Sequence, residues 1–236
     1  MTEQQHCPFV LGILGGLGPL ASAEFLRTIY EYWSGEQEQT MPRVVLYSDP
    51  TFPDRTEALL RGSQTLLQSR LQHALEVLLD LNVSKIVICC VTIHAVLPAL
   101  RPALREKAIS LIDTIFTTLQ QRQERQLLLC TTGTRTAQIF QTHPLWSTYQ
   151  QLIIWPDDTD QQRVQDMIYQ LKQHTEPEVL APEVETLLHK YAASSFIAGC
   201  TELHLLTKRG RFAEGNAYGY RSIDPLITIA QTLAKE

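Results

Sequence analysis

Short apolar runs alternate along the chain with longer amphipathic stretches. The first run, Phe9-Val10-Leu11-Gly12-Ile13-Leu14, closes in Gly15-Gly16-Leu17-Gly18-Pro19, and a helical pattern fills residues 20–33. The second, Val44-Val45-Leu46-Tyr47, ends in Ser48-Asp49-Pro50. Between residues 63 and 81, Leu67, Leu71, Ala74, Leu75, Leu78 and Leu79 recur at the spacing of one helix face. A β-branched run over residues 85–89 follows, then a helix start near Thr92. Apolar runs this short, bounded by turn residues, read as buried strands. Their alternation with helices predicts a parallel sheet covered on both faces.

The second half repeats this order. Residues 125–130 read as a strand leading into Thr131-Thr132-Gly133-Thr134 and a helix. Leu152-Ile153-Ile154 reads as a strand followed by helices over about 158–174 and 182–191. Ser195-Phe196-Ile197-Ala198 is a strand leading into Gly199-Cys200-Thr201-Glu202, and residues 224–235 are helical in pattern. Each half therefore runs from a strand with a Gly- or Thr-rich turn to a strand ending in Cys and Thr. Those pairs are Cys90 with Thr92 and Cys200 with Thr201. This is a duplication of order and residue type, with a boundary expected near Asp113.

Composition narrows the function classes. A chain of 236 residues accommodates one large domain or two smaller ones, and 44% hydrophobic content is that of a globular protein. A net charge of −5 argues against a nucleic-acid partner, whose phosphates need clustered Lys and Arg. No stretch approaches the roughly 18–20 apolar residues of a membrane span. Residues 1–8 have neither the basic region nor the apolar core of a signal peptide, so the expected compartment is the cytoplasm. The five cysteines, Cys7, Cys89, Cys90, Cys130 and Cys200, are odd in number and lack CxxC or zinc-ligand spacing. They predict free thiols rather than disulfides or a metal site.

Ligands of parallel α/β sheets bind beyond the carboxyl ends of the strands. A free cysteine usually packs, and Cys7, Cys89 and Cys130 are read that way. Cys90 and Cys200 differ because each lies at a strand end beside threonine. There the amide groups of a helix start favour anions and lower a thiol pKa. The glycines of 15–18 lack GxGxxG spacing and read as a tight turn that lets a ligand approach the backbone. Arg55 is either a loop ion pair with Asp54 or a bidentate carboxylate ligand. His94 either packs or tunes the Cys90 thiol. Glu202 either favours a helix start or orients a catalytic group.

Six segments, in order and spanning nearly the whole chain, carry a resemblance. Gly15-Gly16-Leu17-Gly18-Pro19-Leu20-Ala21-Ser22 resembles the GGMGPxAT opening of the aspartate/glutamate racemases, and Pro53-Asp54-Arg55-Thr56 resembles the PDRT of the aspartate racemases among them. Cys90-Val91-Thr92-Ile93-His94 is similar to the CNTxH motif, and Cys130-Thr131-Thr132-Gly133-Thr134 to the TTGT loop. Gly199-Cys200-Thr201-Glu202-Leu203 is similar to GCTEL, and Ile223-Asp224-Pro225 to the C-terminal IDP.

The resemblance implies two similar parallel-sheet α/β domains related by pseudo-twofold symmetry, with the active site in the cleft between them. Residues 1–113 with 222–236 would form one domain and residues 114–221 the other. It implies a homodimer that interconverts L- and D-aspartate without pyridoxal phosphate or another cofactor. Its partner would be a small amino acid with an acidic side chain, and neither nucleic acid nor membrane. Cys90 and Cys200 would be the two bases, Cys90 acting on the D-isomer and Cys200 on the L-isomer. A thiolate suits this work: it is cheap to desolvate, and its conjugate thiol can return a proton on the opposite face.

Thr92, Thr132, Thr134 and Thr201 would hold the α-carboxylate and Arg55 the distal one. Leu17, Gly18, Ser48 and Val91 would complete the lining. Three departures stand out. Val91 replaces the asparagine of CNTxH, and Ser48-Asp49 replaces a common Asn-Asn; an Asp49 facing the cleft would repel a dianion. The lysine expected early in the helix after the TTGT loop is missing, and Arg163 is the nearest cation. Glutamate or another amino acid is the alternative substrate. The alternative classes are a hydantoin racemase, maleate isomerase or arylmalonate decarboxylase of related fold, or a weakened binding protein. The presence of both cysteines favours two-base proton exchange over decarboxylation.

Overall fold

A computed structural model describes residues 9–33, 37–212 and 222–235; Cys7 and the rest of residues 1–8 lie outside the described residues. In the first half the elements are β1 (Val10–Gly15), α1 (Pro19–Tyr32), β2 (Arg43–Ser48), α2 (Arg55–Leu60), α3 (Gln64–Asp80), β3 (Lys85–Ile88), α4 (Pro102–Arg105), β4 (Ala108–Ile109) and α5 (Leu111–Arg122). The second half adds β5 (Gln126–Cys130), α6 (Thr132–Thr136), α7 (Trp146–Tyr149), β6 (Ile153–Ile154), α8 (Asp158–Lys172), α9 (Pro177–Lys190), β7 (Phe196–Gly199), α10 (His204–Phe212) and α11 (Pro225–Leu233).

All strand pairs are parallel, as the alternation of strand and helix predicts. The first sheet has the order β2-β1-β3-β4 and the second β6-β5-β7. Ile223 extends the second sheet beyond β7: its N–H donates to the Phe196 carbonyl at 2.8 Å, and the Ala198 N–H donates to the Ile223 carbonyl at 2.9 Å. Ile223 thus takes the place that β4 holds in the first sheet. The duplication seen in residue order is also a duplication of topology.

Three apolar cores support these sheets. One lies between α3 and the first sheet and holds Leu67, Leu71, Leu75, Ile86, Ile88 and Cys90. Another lies between α8, α9 and the second sheet and holds Leu129, Val164, Leu171, Val184, Ala198 and Cys200. The third joins both sheets to α1, α5 and α11 through Phe25, Ile115, Phe116, Leu128, Ile197 and Leu226. The two-residue alternation of extended chain explains why neighbouring cysteines part company. Val87, Cys89 and Val91 face the shared core, while Ile86, Ile88 and Cys90 face α3.

Capping residues fix the helix starts. Asp54, Ser110, Thr131, Asp157 and Asp224 each accept a backbone N–H from the first turn of the helix that follows. Several elements depart from the sequence pattern. Thr92–Ala99 is a 3₁₀ stretch containing Pro98 rather than an α-helix. Helix α9 begins at Pro177, where the missing N–H has no consequence, and carries Pro182 inside it. The pattern showed neither β4 nor α5, and Asp113 falls in the first turn of α5 rather than at a break. Among the described residues no helix is long and apolar enough to cross a membrane.

Candidate active site

The loops at the carboxyl ends of the two sheets meet. Gly16 adopts φ +85°, and a Cβ there would lie 2.3 Å from the Asp49 backbone, so glycine is required for this turn. The turn leaves the Leu17 carbonyl to accept Arg55 Nη2, while the Pro53 carbonyl accepts Nη1 at 3.1 Å. The two halves touch through glycine twice. A Cβ on Gly18 would lie 2.3 Å from Glu202 Oε1, and one on Gly133 would lie 2.7 Å from Thr56 Cα.

Cys90 and Cys200 sit in this closed cleft, 5% and 3% exposed. The Cys200 thiol donates to Glu202 Oε2 at 2.8 Å. Burial pushes its pKa well above the usual thiol range. The Glu202 carboxylate adds to that, Lys172 opposes it, and the neighbouring Cys90 contributes further. The thiols therefore lie within each other's field. Cys89 and Cys130 pack in the shared core, and burial pushes Cys130 up to about 12.

Two cations face the thiols. Arg55 is 8% exposed, and its Nε has no hydrogen-bond partner among the described residues. Burial disfavours its charge, but Cys90, Glu202 and Asp54 outweigh that and raise its pKa. Lys172, at the end of α8, lies 3.7 Å from Asp54 Oδ2. Burial works against its charge too, and Glu202 and Cys200 outweigh it. Asp54 also caps α2 and accepts from the Tyr169 hydroxyl at 2.9 Å. The loop ion pair expected between Arg55 and Asp54 is not formed among the described residues: Arg55 binds the Leu17 and Pro53 carbonyls, and Asp54 pairs with Lys172. A cavity of about 60 Å³ lies among Gly18, Lys172 and Glu202, and neither thiol lines it.

The remaining candidates fall into place around this centre. Thr92 forms a closed ring of hydroxyls with Thr131 and Thr134, at 2.9, 3.0 and 3.0 Å. The ring ties the halves together and occupies two of the hydroxyls expected to hold a carboxylate, those of Thr92 and Thr134. The Thr132 N–H is bound to Gln165 Oε1 at 2.7 Å, and the Thr201 hydroxyl donates to the Cys89 carbonyl at 3.1 Å. His94 is structural. The Leu111 N–H donates to its Nε2 at 3.2 Å, so Nδ1 carries the proton and donates to the Cys90 carbonyl at 2.8 Å. Burial lowers its pKa to about 4.

Other residues lie apart from the thiols. Val91 is fully buried in the shared core, which accounts for valine where an amide was expected. Ser48 is exposed at the end of β2. Asp49 accepts from Thr51 and pairs with Arg70 at 2.9 Å, so its charge is neutralised locally. Arg163 is bound to Asp160 at 3.0 Å and Glu183 at 2.8 Å. The cation of the second half is instead Lys172. The cation was expected at the start of α8, whereas the far end of that helix reaches the cleft. Its signal was the pair Tyr169 and Lys172, one helical turn apart.

Two parallel α/β sheets thus bring thiols from two strand ends together with cations from the start of α2 and the end of α8. Residues 14–233 match the family described as Asp/Glu/Hydantoin racemase, and the chain belongs to it. Its fold is similar to that of Picrophilus torridus aspartate racemase, with a TM-score of 0.81 and 23% identity over 96% of this chain and 93% of that one. An aspartate racemase homologue from Pyrococcus horikoshii gives 0.65 and 19% over 96% and 99%. Glutamate racemase from Campylobacter jejuni gives 0.63 and 16% over 96% and 85%. At these identities the likeness is one of fold.

Proposed function

We propose that this chain is a cofactor-independent racemase of L- and D-aspartate, with Cys90 and Cys200 as its two bases. The observation that carries the reading is the pairing of buried thiols with cations, Arg55 beside Cys90 and Lys172 beside Cys200. One thiolate removes the α-proton and becomes a thiol. The opposite thiol gives its proton to the carbanion and becomes a thiolate, so charge is conserved. The cations lower the energy of each thiolate and of the substrate carboxylates. Two cations suit a dianionic substrate, and the unpartnered Arg55 Nε is a free donor for it.

Aspartate is favoured over glutamate by the PDRT resemblance. The burial of both thiols requires the cleft to open for entry. The division into residues 1–113 with 222–236 and residues 114–221, and assembly as a cytoplasmic homodimer, belong to the same reading and rest on the family resemblance. The test is incubation with L-aspartate, L-glutamate and neutral amino acids in D₂O without cofactor. α-Deuteration with formation of D-aspartate is expected. Faster exchange of glutamate would move the substrate assignment, and exchange of no amino acid would overturn the reading.

A further inference from the structure

We propose that Glu202 is a positioning residue that keeps the proton on Cys200 between turnovers, so that Cys200 enters each cycle as the acid of the pair. The consequence for catalysis rests on the racemase reading; the geometry does not. Cys200 Sγ donates to Glu202 Oε2 at 2.8 Å, while the Thr201 hydroxyl, 3.5 Å from that oxygen, gives its proton to the nearer Cys89 carbonyl. Oε1 is buried with no partner, so the thiol is the main contact of a carboxylate that is itself only 3% exposed. Gly18 closes the space on the other side of Oε1, which keeps the carboxylate against the sulfur.

The groups facing Cys200 come from several elements. Glu202 follows it in the chain, Lys172 comes from the end of α8, and Cys90 lies across the cleft. Glu202 favours the protonated thiol and Lys172 the thiolate. Cys90 has a different neighbour, the Arg55 guanidinium, and so the two halves of a duplicated fold present unlike partners to their thiols.

When Cys200 must act as the base, its S–H bond breaks, the proton passes to Glu202 Oε2 and from there to the Cys90 thiolate. The Cys200 thiolate then faces Lys172. It takes the α-proton while the Cys90 thiol delivers its proton to the carbanion. The turnover ends with Cys200 a thiol, Cys90 a thiolate and Glu202 ionised, as it began.

The test is site-resolved alkylation. Wild type, Glu202→Gln and Glu202→Asp are treated with iodoacetamide between pH 6 and 10, and each cysteine is followed by peptide mass. Glutamine removes the negative charge and offers the sulfur an N–H. Cys200 alkylation at pH 7 should rise about tenfold or more and its midpoint should move to lower pH, with Cys90 unchanged. Aspartate withdraws the carboxylate by one methylene and should give a smaller shift in the same direction. A Cys200 profile that does not move in whichever variants melt like wild type would overturn the proposal. Failure of every amino acid to exchange in the wild type would instead overturn the racemase reading, and the alkylation result would stand by itself.

Discussion

Gly133→Ala tests whether the contact between the two halves sets the catalytic geometry. The added methyl would lie 2.7 Å from Thr56 Cα, a backbone atom that cannot rotate away. Relaxing to an ordinary contact of 3.4 Å displaces α6 from α2 by about 0.7 Å. Thr56 follows Arg55 directly, so the shift is passed to the guanidinium. Misplacement by about 1 Å costs a reaction about a hundredfold, so a loss of tens-fold in kcat is expected here. Stability should change less. Overpacking costs about 1–3 kcal/mol, and replacing a helical glycine by alanine returns about 1 kcal/mol. The assay is aspartate racemisation beside a thermal melt. A folded variant with kcat within twofold of wild type would refute the reasoning.

Other consequences are as direct. Arg55→Lys keeps the charge but loses the fork. The expected loss is about 1.5–3 kcal/mol, roughly ten- to hundredfold in kcat/KM for aspartate; unchanged kcat/KM would remove Arg55 from substrate binding. His94 is neutral in the fold, and its pKa falls from 6.5 to about 4. Between those values the unfolded chain binds more protons, so this contribution is complete above pH 6.5 and is lost on acidification, on the order of 3 kcal/mol by pH 4. Urea midpoints at pH 7.5 and 4.5 should therefore diverge less in His94→Gln than in wild type, and equal divergence would show that His94 does not carry the effect. Asp224 caps α11 and accepts from His204 Nδ1 at 2.7 Å in a fully buried network. Asp224→Ala should lower stability by about 3–5 kcal/mol in chemical denaturation, and a loss under 1 kcal/mol would show that the network contributes little.

The strands, their parallel order and the cysteines at their ends were legible because buried parallel strands are continuous apolar runs and the turns after them are rich in Gly and Thr. Cys90 and Cys200 stood out from Cys89 and Cys130 by position, and the alternation of extended chain gives the physical reason. What escaped was long-range. Lys172 is far in sequence from Asp54, and only the path of α8 brings them together. The hydroxyl ring of Thr92, Thr131 and Thr134 is a pairing across the two halves that no local pattern encodes. Helix α5 was missed although Ser110 and Asp113 form its cap, because β4 before it is only two residues long. Val91 was expected at the ligand because it stands at the asparagine position of CNTxH, yet its side chain packs into the shared core.

The central claim is that two thiols, one from each half, exchange the α-proton. Cys90→Ser and Cys200→Ser, each confirmed to melt like wild type, should be compared for conversion of L- to D-aspartate in D₂O. The account predicts that either substitution alone abolishes racemisation, by about a thousandfold or more, since a serine hydroxyl is a far weaker base than a thiolate. Full conversion by either variant would contradict it.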